Sequence, residues 1–351
     1  MKTLGYYNGN YGPLEEMTVP MNDRACYFGD GVYEATLAKN GKIFALKEHL
    51  DRFFNSAGLL KIEIPYTREE LTSILYDMLA KMDDSEIFIY WQVTRGTGIR
   101  QHQFPAAGTK ANLWIFMKPG KHGDSSKRLK LTDMEDTRFL HCNIKTLNLL
   151  PNVMAAEKAE SMGCGECVFH RGDVVTECAH SNVSIIKDGV FKTHPTDHYI
   201  LPGITRMHLV QICKDNGIPV DETPFTMEEL MDADEVIVSS STKFCAPACE
   251  MNGTPIGGKA PELVKILQEK YLEKFEIPLE CLQTEKGLER AGYDFMKNAA
   301  LDHVSYIEAR FAPLLSTQEG LSTERILEAV LKGMEQGKTE FGIDYGVIVC
   351  A

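Results

Sequence analysis

A lysine stands in the apolar stretch CNIKTLNLLPN, directly before a helix-starting signal. A buried ammonium group loses solvation, so the pKa of Lys145 would fall in such a setting. The neutral amine is a nucleophile and can form a Schiff base with an aldehyde. The stretch therefore indicates either a reactive amine or, as the alternative, a strand lysine whose side chain turns outward to solvent.

A glutamate, Glu177, lies in a second apolar stretch, VVTEC. A buried carboxylate requires a cationic partner. A protonated pyridine nitrogen would be such a partner, and the carboxylate would keep that nitrogen protonated so that the ring withdraws electrons. The alternative interpretation of Glu177 is an edge-strand residue in contact with solvent.

The segment LPGITR has the features of an anion-binding turn. Gly203 permits close approach of the backbone, and the N–H groups of Ile204 and Thr205 would open a helix, where phosphate groups bind. Arg52 on a predicted helix and the hydroxyl groups of residues 239–242 offer further donors. Helix capping and solvation at the surface are the alternatives for each of these residues.

Composition limits the possible partners. The chain has 351 residues, a formal net charge of -13 and no basic stripe, so neither nucleic acid nor an anionic membrane is an expected partner. We find no signal peptide and no apolar run long enough to span a bilayer. Ten cysteines in such a chain favour reduced thiols. The expected compartment is the cytoplasm.

Four segments must position these residues. Residues 1–118 alternate short strands and helices, with a hairpin signal at Asn40-Gly41. Residues 119–128 have the composition of a linker. Residues 129–270 form a second α/β segment, in which Lys145 lies on a strand. Residues 271–351 show a helix–strand–helix–strand pattern that is typical of parallel βαβ units.

Several segments, taken in order over about residues 1–270, resemble the class IV pyridoxal-phosphate aminotransferases, and most closely their branch that acts on D-amino acids. The matching segments are DRACYFGDGVYE, HLDRF, VTRGTGIRQHQF, CNIKTLNLLPNVMAAEKAE, GCGECVFHRGDVVTE, SNV and LPGITR. The resemblance implies an α/β fold of two domains, the second of which binds the cofactor pyridoxal 5'-phosphate. It also implies a homodimer.

The resemblance assigns a role to each cofactor-binding residue. Lys145 would be the Schiff-base lysine and the proton carrier, and Glu177 would pair with the ring nitrogen of the cofactor. The phosphate group would be held by Arg52, Ile204, Thr205 and Ser241.

The resemblance also implies a trap for the substrate carboxylate, made of Tyr33, Arg100 and His102, with the last two reaching across from the partner subunit. A guanidinium group binds a carboxylate in a bidentate manner. Placing the α-carboxylate determines which face of the α-carbon Lys145 deprotonates, and hence the D-specificity. Taken without the resemblance, Arg100 and His102 would be loop surface residues. His180 departs from the family pattern, because a small hydroxyl residue is expected at its position.

Residues 271–351 resemble an internal fragment of adenosine deaminase, in the stretches PLECLQTEKGLERAGYDF, VSYIEARFAP and DYGVIVCA. This resemblance implies a partial β/α extension derived from a TIM barrel, and therefore a fusion protein. A zinc deaminase needs several histidine ligands, whereas this tail contains a single histidine, His303. We therefore expect no metal site and no deaminase activity.

The expected reaction is transamination between a D-amino acid, such as D-alanine, and a 2-oxo acid, such as 2-oxoglutarate, which yields pyruvate and D-glutamate. A lyase of the aminodeoxychorismate type on the same fold is one alternative, although Arg100 and His102 argue against it. A branched-chain L-aminotransferase is a second alternative. An inactive remnant whose tail prevents dimer assembly is a third.

Overall fold

The structure, a computed structural model, describes residues 2–349 apart from 122, 125, 126, 281, 303, 318 and 319, and of residues 274–280 and 315 it describes the backbone alone. The chain divides into two compact units, of which the first ends at Tyr271 and the second begins at Leu272. His303 lies outside the described residues. In the part of the chain that is described, no helix has the length and apolar character needed to cross a membrane.

The first unit begins with an antiparallel sheet. Its strands are β1 (Leu4–Tyr7), β2 (Asn10–Gly12), β3 (Gly31–Lys39), β4 (Lys42–Ile43), β5 (Glu86–Thr94) and β6 (Asn112–Pro119). They pair in the order β2-β1-β6-β5-β3-β4. Asn40 and Gly41 have positive φ angles of 48° and 76° and form the two-residue turn between β3 and β4, so the predicted hairpin is confirmed.

One face of this sheet is buried and the other faces a pocket. Ile87, Ile89 and Trp91 alternate along β5 and are fully buried in the hydrophobic core. Because side chains alternate along a strand, Phe88 and Tyr90 lie on the opposite face. The helices of this part of the chain are α1 (Arg24–Phe28), α2 (Leu46–Leu59) and α3 (Arg68–Leu79), and a 3-10 turn covers Leu14–Glu16.

The second sheet of the first unit is mixed. Its strands are β7 (Leu129–Glu135), β8 (Glu166–Arg171), β9 (Val174–Cys178), β10 (Asn182–Lys187), β11 (Val190–Thr193), β12 (Val220–Asp221), β13 (Glu235–Ser240), β14 (Phe244–Met251) and β15 (Thr254–Pro255). The order is β12-β11-β10-β13-β14-β7-β8-β9, with β15 on β14. The helices are α4 (Leu150–Ser161), α5 (Ile204–Asp215) and α6 (Met227–Asp232). A further helix, α7 (Pro261–Glu280), begins in this unit and continues past its last residue, Tyr271. Both sheets belong to one compact unit, so separate domains at 1–118 and 129–270, joined by a linker at 119–128, stay a prediction.

The strand predicted around Lys145 is wrong, because residues 141–149 are irregular. This segment runs beside β3 and makes two backbone hydrogen bonds with it, from the Tyr33 N–H to the Lys145 oxygen at 2.9 Å and from the Leu147 N–H to the Gly31 oxygen at 3.1 Å. An asparagine, Asn148, competes for local backbone contacts and favours turns over a continuous ladder. The lysine is therefore held at the edge of β3 rather than inside a strand.

The second unit contains α8 (Glu285–Leu301), β16 (Tyr306–Phe311), α9 (Thr323–Phe341) and β17 (Asp344–Val349), with a 3-10 turn at Pro313–Ser316. The two strands pair in parallel, which confirms the predicted βαβ pattern. The two helices pack closely, because a Cβ atom at Gly333 would lie 1.8 Å from the carbonyl oxygen of Glu289. Only glycine permits this approach.

Candidate active site

A pocket of about 290 Å³ in the first unit is lined by residues of both sheets. It brings together most of the residues that the sequence predicts for the site. These are Tyr33, Arg52, Lys145, Glu177, Ile204, Thr205 and Ser241.

Lys145 is half-buried in the pocket wall. Its Nζ lies 4.3 Å from the centroid of the Tyr33 ring, and its backbone N–H donates to Ser56 Oγ at 3.3 Å. Within the described residues, no carboxylate lies within salt-bridge distance of the Lys145 ammonium group. The amine therefore lies against an aromatic face in the pocket wall, where it can meet a bound ligand.

Glu177 is buried, with 6% of its surface exposed, so the interpretation as a solvent-facing edge residue is wrong. Oε1 pairs with the guanidinium group of Arg138, and Oε2 accepts hydrogen bonds from Asn182 Nδ2 and the Leu201 N–H, both at 3.0 Å. Burial raises the pKa of Glu177, although Arg138 opposes the shift. A carboxylate has about four acceptor positions, so these contacts leave one for a donor in the pocket.

Arg138 is a residue that the sequence did not reveal. It is buried and binds Asp136 through Nε and Nη2, both at 2.9 Å, and the Tyr199 carbonyl oxygen at 3.1 Å. The only signal in the sequence is an Asp-x-Arg pair after an apolar strand, and this pair is common at surfaces. Arg138 provides the positive charge that allows Glu177 to be buried.

The other end of the pocket lies at the start of α5, where the sequence predicts an anion site. The N-cap residue Gly203 supplies no side-chain cap, so N–H groups of the first helical turn face the pocket lining. Arg52 Nη1 donates to the Pro202 carbonyl oxygen at 3.1 Å, which holds the guanidinium group beside this turn. Thr205 Oγ1 lies 2.8 Å from the hydroxyl of Tyr271.

A buried pair, Glu34 and His49, contacts two residues of the predicted anion site, Arg52 and Ser241. Glu34 accepts hydrogen bonds from Arg52 Nε at 2.7 Å and Nη2 at 2.9 Å, and it lies 2.7 Å from His49 Nδ1. His49 Nε2 lies 3.3 Å from Ser241 Oγ. Burial alone would raise the pKa of Glu34, but Arg52 and His49 outweigh it and hold the pKa low. Burial lowers the pKa of His49. The spacing of His49 and Arg52, three residues apart on a helix, is the signal that could have revealed this network.

The donor set fits the expected cofactor. The pocket offers cationic and N–H donors for a phosphate group at one end, a carboxylate with a remaining acceptor position at the other, and the amine of Lys145. The buried Ser239 Oγ, which lines the same pocket, has no partner among the described residues. A ligand with a hydrogen-bonding group at this point would satisfy it.

Gly203→Ala is expected to weaken the binding of pyridoxal 5'-phosphate about tenfold or more, since overpacking of a tight site costs about 1–3 kcal/mol. The reason is that a Cβ atom at position 203 would lie 1.8 Å from Asn182 Oδ1, which must then move. Equilibrium titration of the cofactor-free protein measures the change. Gly58→Ala is the matched control, because a Cβ there meets nothing within 4 Å. Equal affinities for Gly203→Ala and the control would contradict the prediction.

Two predicted residues are not in the pocket. The guanidinium carbon of Arg100 lies 5.3 Å from the centroid of the Phe28 ring, and the His102 ring lies 5.3 Å from the same ring. Both residues are exposed on the loop between β5 and β6. The expectation that they act on the partner subunit's site stays a prediction.

Metal-binding side chains do not cluster in the described part of the chain, where no group of three or more histidines, cysteines or acidic residues could hold a metal ion. The eight cysteines that the structure describes are free thiols. Two of them, Cys142 and Cys178, line the pocket, and burial raises the pKa of Cys142 to about 11.

Comparison with known families gives two matches in succession along the chain. Residues 31–251 match the amino-transferase class IV family. Residues 264–351 match the adenosine deaminase family. The two resemblances found in the sequence are therefore confirmed.

Individual relatives agree with the first match. The chain is 41% identical over 277 residues to a D-alanine aminotransferase of Staphylococcus haemolyticus, covering 77% of this chain and 98% of the relative. Among solved structures, a branched-chain aminotransferase of Thermoproteus uzoniensis with norvaline superposes with a TM-score of 0.70 at 26% identity, covering 77% of this chain and 93% of that one. A branched-chain amino acid aminotransferase from T.th. with pyridoxamine 5'-phosphate gives the same TM-score, 0.70, identity, 26%, and coverage, 77% and 93%.

Proposed function

Because the chain belongs to the class IV aminotransferase family, we propose that it transfers the amino group of a D-amino acid, such as D-alanine, to a 2-oxo acid, such as 2-oxoglutarate. The products would be pyruvate and D-glutamate. One observation carries the proposal: the chain is 41% identical to a D-alanine aminotransferase over 98% of that relative's length. The predicted α/β fold of this family is confirmed by the solved structures.

The family uses pyridoxal 5'-phosphate, and the residues of the pocket fit it. The first turn of α5, with Arg52, Thr205 and Ser241, would hold the phosphate group. Glu177 would accept a hydrogen bond from the protonated ring nitrogen. When bound, the cofactor supplies an aldehyde that accepts the amino group and a ring that withdraws electrons.

The side chains of this chain would bind the substrate and move its proton. Lys145 would act as the general base that takes the proton from the substrate α-carbon. Its ammonium nitrogen lies half-buried beside the Tyr33 ring, at the wall of the pocket that the substrate would enter. Buried Arg138 and Glu34 hold Glu177 and Arg52 in place, so the two ends of the site are ordered before a substrate enters.

The D-specificity would come from the face of the substrate that Lys145 reaches. Tyr33 lies next to Lys145 and would donate its hydroxyl hydrogen to the α-carboxylate. Arg100 and His102 of a partner subunit would complete this carboxylate site, since they lie outside the pocket of their own chain.

The proposal therefore includes a homodimer. Exposed Leu150, Val153 and Met154, on one side of α4, support a contact surface. Free thiols in the described residues support a cytoplasmic enzyme.

The test of this function is the visible absorption spectrum of the purified protein with cofactor. Adding D-alanine is expected to shift the band of the bound cofactor, and adding L-alanine is expected to leave it unchanged, because the α-proton of the L-isomer points away from Lys145. Transfer to 2-oxoglutarate is then measured as pyruvate formation. A shift with L-leucine and none with D-alanine would support a branched-chain aminotransferase instead, the activity that names the solved structures.

A further inference from the structure

The turn between β13 and β14 carries part of the proposed phosphate site. Ser240 pairs with Phe244 across the turn, and we call Ser240–Phe244 the β13–β14 hairpin. Its residues Ser240, Ser241 and Thr242 line the pocket. Ser241 is the proposed phosphate ligand, and His49 lies 3.3 Å from its hydroxyl. The conformation of this hairpin therefore determines the position of the Ser241 hydroxyl group, the proposed hydrogen-bond donor to the phosphate.

The hairpin has an unfavourable backbone conformation. Phe244, the first residue of β14, has a φ of 56°, in the left-handed region that glycine adopts far more readily than a residue with a large side chain. A bulky residue adopts this conformation only where its surroundings hold it there. The Phe244 ring packs against Phe44 and Tyr271, with centroid distances of 5.4 Å and 5.3 Å. These ring contacts hold one end of the hairpin.

Lys243, which directly precedes Phe244, makes further side-chain contacts of the turn. Its Nζ donates to Glu166 Oε2 at 2.9 Å and to the Gly165 carbonyl oxygen at 3.0 Å, and it lies 3.0 Å from His180 Nε2. These contacts use all three donors of an ammonium group. His180 Nδ1 in turn lies 3.2 Å from Glu166 Oε1. Lys243, Glu166 and His180 therefore form a closed polar ring.

The ring joins two walls of the pocket. Glu166 is fully buried at the start of β8 and also accepts a hydrogen bond from Ser181 Oγ at 2.8 Å. His180 and Ser181 belong to the lining segment that follows Glu177. The ammonium group of Lys243 therefore connects the β13–β14 hairpin to the segment that follows Glu177, the proposed partner of the cofactor ring nitrogen.

We propose that Lys243 is a positioning residue, which holds the β13–β14 hairpin so that Ser241 meets the cofactor phosphate. This inference rests on the proposed function. Glu166 is the fixed anchor, because its buried carboxylate has no other ammonium partner among the described residues. His180, the residue that departs from the family pattern, completes the ring as the third acceptor. Without the ammonium group, the strained hairpin would be free to relax away from the pocket.

The experiment compares two ligands that differ only in the phosphate group. Pyridoxal 5'-phosphate and pyridoxal are each titrated into the full chain from which cofactor has been removed. Glu166→Gln/Lys243→Met is the main variant, since Lys243→Met alone leaves a buried carboxylate unpaired and can impair folding. Lys243→Arg keeps the charge, and Lys187→Met is the control, because Lys187 forms an exposed ion pair with Asp232 at the far end of β10.

We expect the double variant to bind pyridoxal 5'-phosphate about tenfold more weakly and pyridoxal with less than about a threefold change, the size expected for a lost charge-assisted contact. Lys243→Arg and Lys187→Met are expected to bind both ligands within about threefold of the unmodified chain. A loss of equal size for both ligands, or no loss for either, would overturn the assignment. If the unmodified chain bound no pyridoxal 5'-phosphate, the proposed function would fail instead.

Discussion

Lys145→Ala is expected to abolish transamination between D-alanine and 2-oxoglutarate, with kcat reduced about 10³-fold or more, because the site loses both its nucleophile and its general base. Lys145 is the only lysine that lines the pocket in the described part of the chain. No other amine of the lining can therefore replace it. The rate of pyruvate formation measures the effect.

The chemical role can be separated from a structural one. Methylamine added to Lys145→Ala is expected to restore part of the rate, since a small amine can enter the vacated space and act as a base. Lys214→Ala, an exposed position on α5, is the control and is expected to keep full activity. A Lys145→Ala protein that kept more than about a tenth of the original kcat would rule out the proposed role.

Arg138→Met is expected to destabilise the protein by about 3–5 kcal/mol, because it leaves a buried carboxylate without its cation. Arg138 bridges Glu177 and Asp136, and both carboxylates are buried. Urea denaturation of the cofactor-free protein measures the loss. Cofactor affinity is also expected to fall, since Glu177 would no longer be held in position.

The double variant Arg138→Met/Glu177→Gln separates stability from function. Removing both charges of a buried pair costs much less than removing one, so the double variant is expected to recover part of the stability that Arg138→Met loses. Its activity is expected to remain low, because a neutral amide cannot keep the cofactor ring nitrogen protonated. The free energy of unfolding that the double variant loses is compared with the sum of the losses in Arg138→Met and Glu177→Gln. A loss as large as that sum, or larger, would show that Arg138 and Glu177 do not act as a pair.

Local features of the fold were predictable because they depend on adjacent residues. Asn40-Gly41 predicts a two-residue turn, and the turn is present between β3 and β4. Pro151 predicts a helix start, and α4 begins at Leu150. The apolar surroundings of Lys145 suggested a strand, and this was wrong, because a strand requires a partner along its length and the segment has only two backbone hydrogen bonds with β3.

The sequence by itself determined which chemical groups this protein can use: the amine of Lys145, the carboxylate of Glu177 and the glycine-containing turn that opens α5. Their types and immediate neighbours suggested this chemistry beside a second interpretation for each, and the resemblance to the family favoured the chemical role.

The tertiary structure alone decided their supporting partners. Arg138 is 39 positions from Glu177, and Lys243 is 77 positions from Glu166. Arg138 follows β7 and Glu177 lies on β9, and both of these strands pair with β8. Lys243 precedes β14 and Glu166 begins β8, and both of these strands pair with β7. No local pattern specifies this strand order and register. A buried charge is stable only with a partner, and the folded chain supplies that partner from a distant part of the sequence.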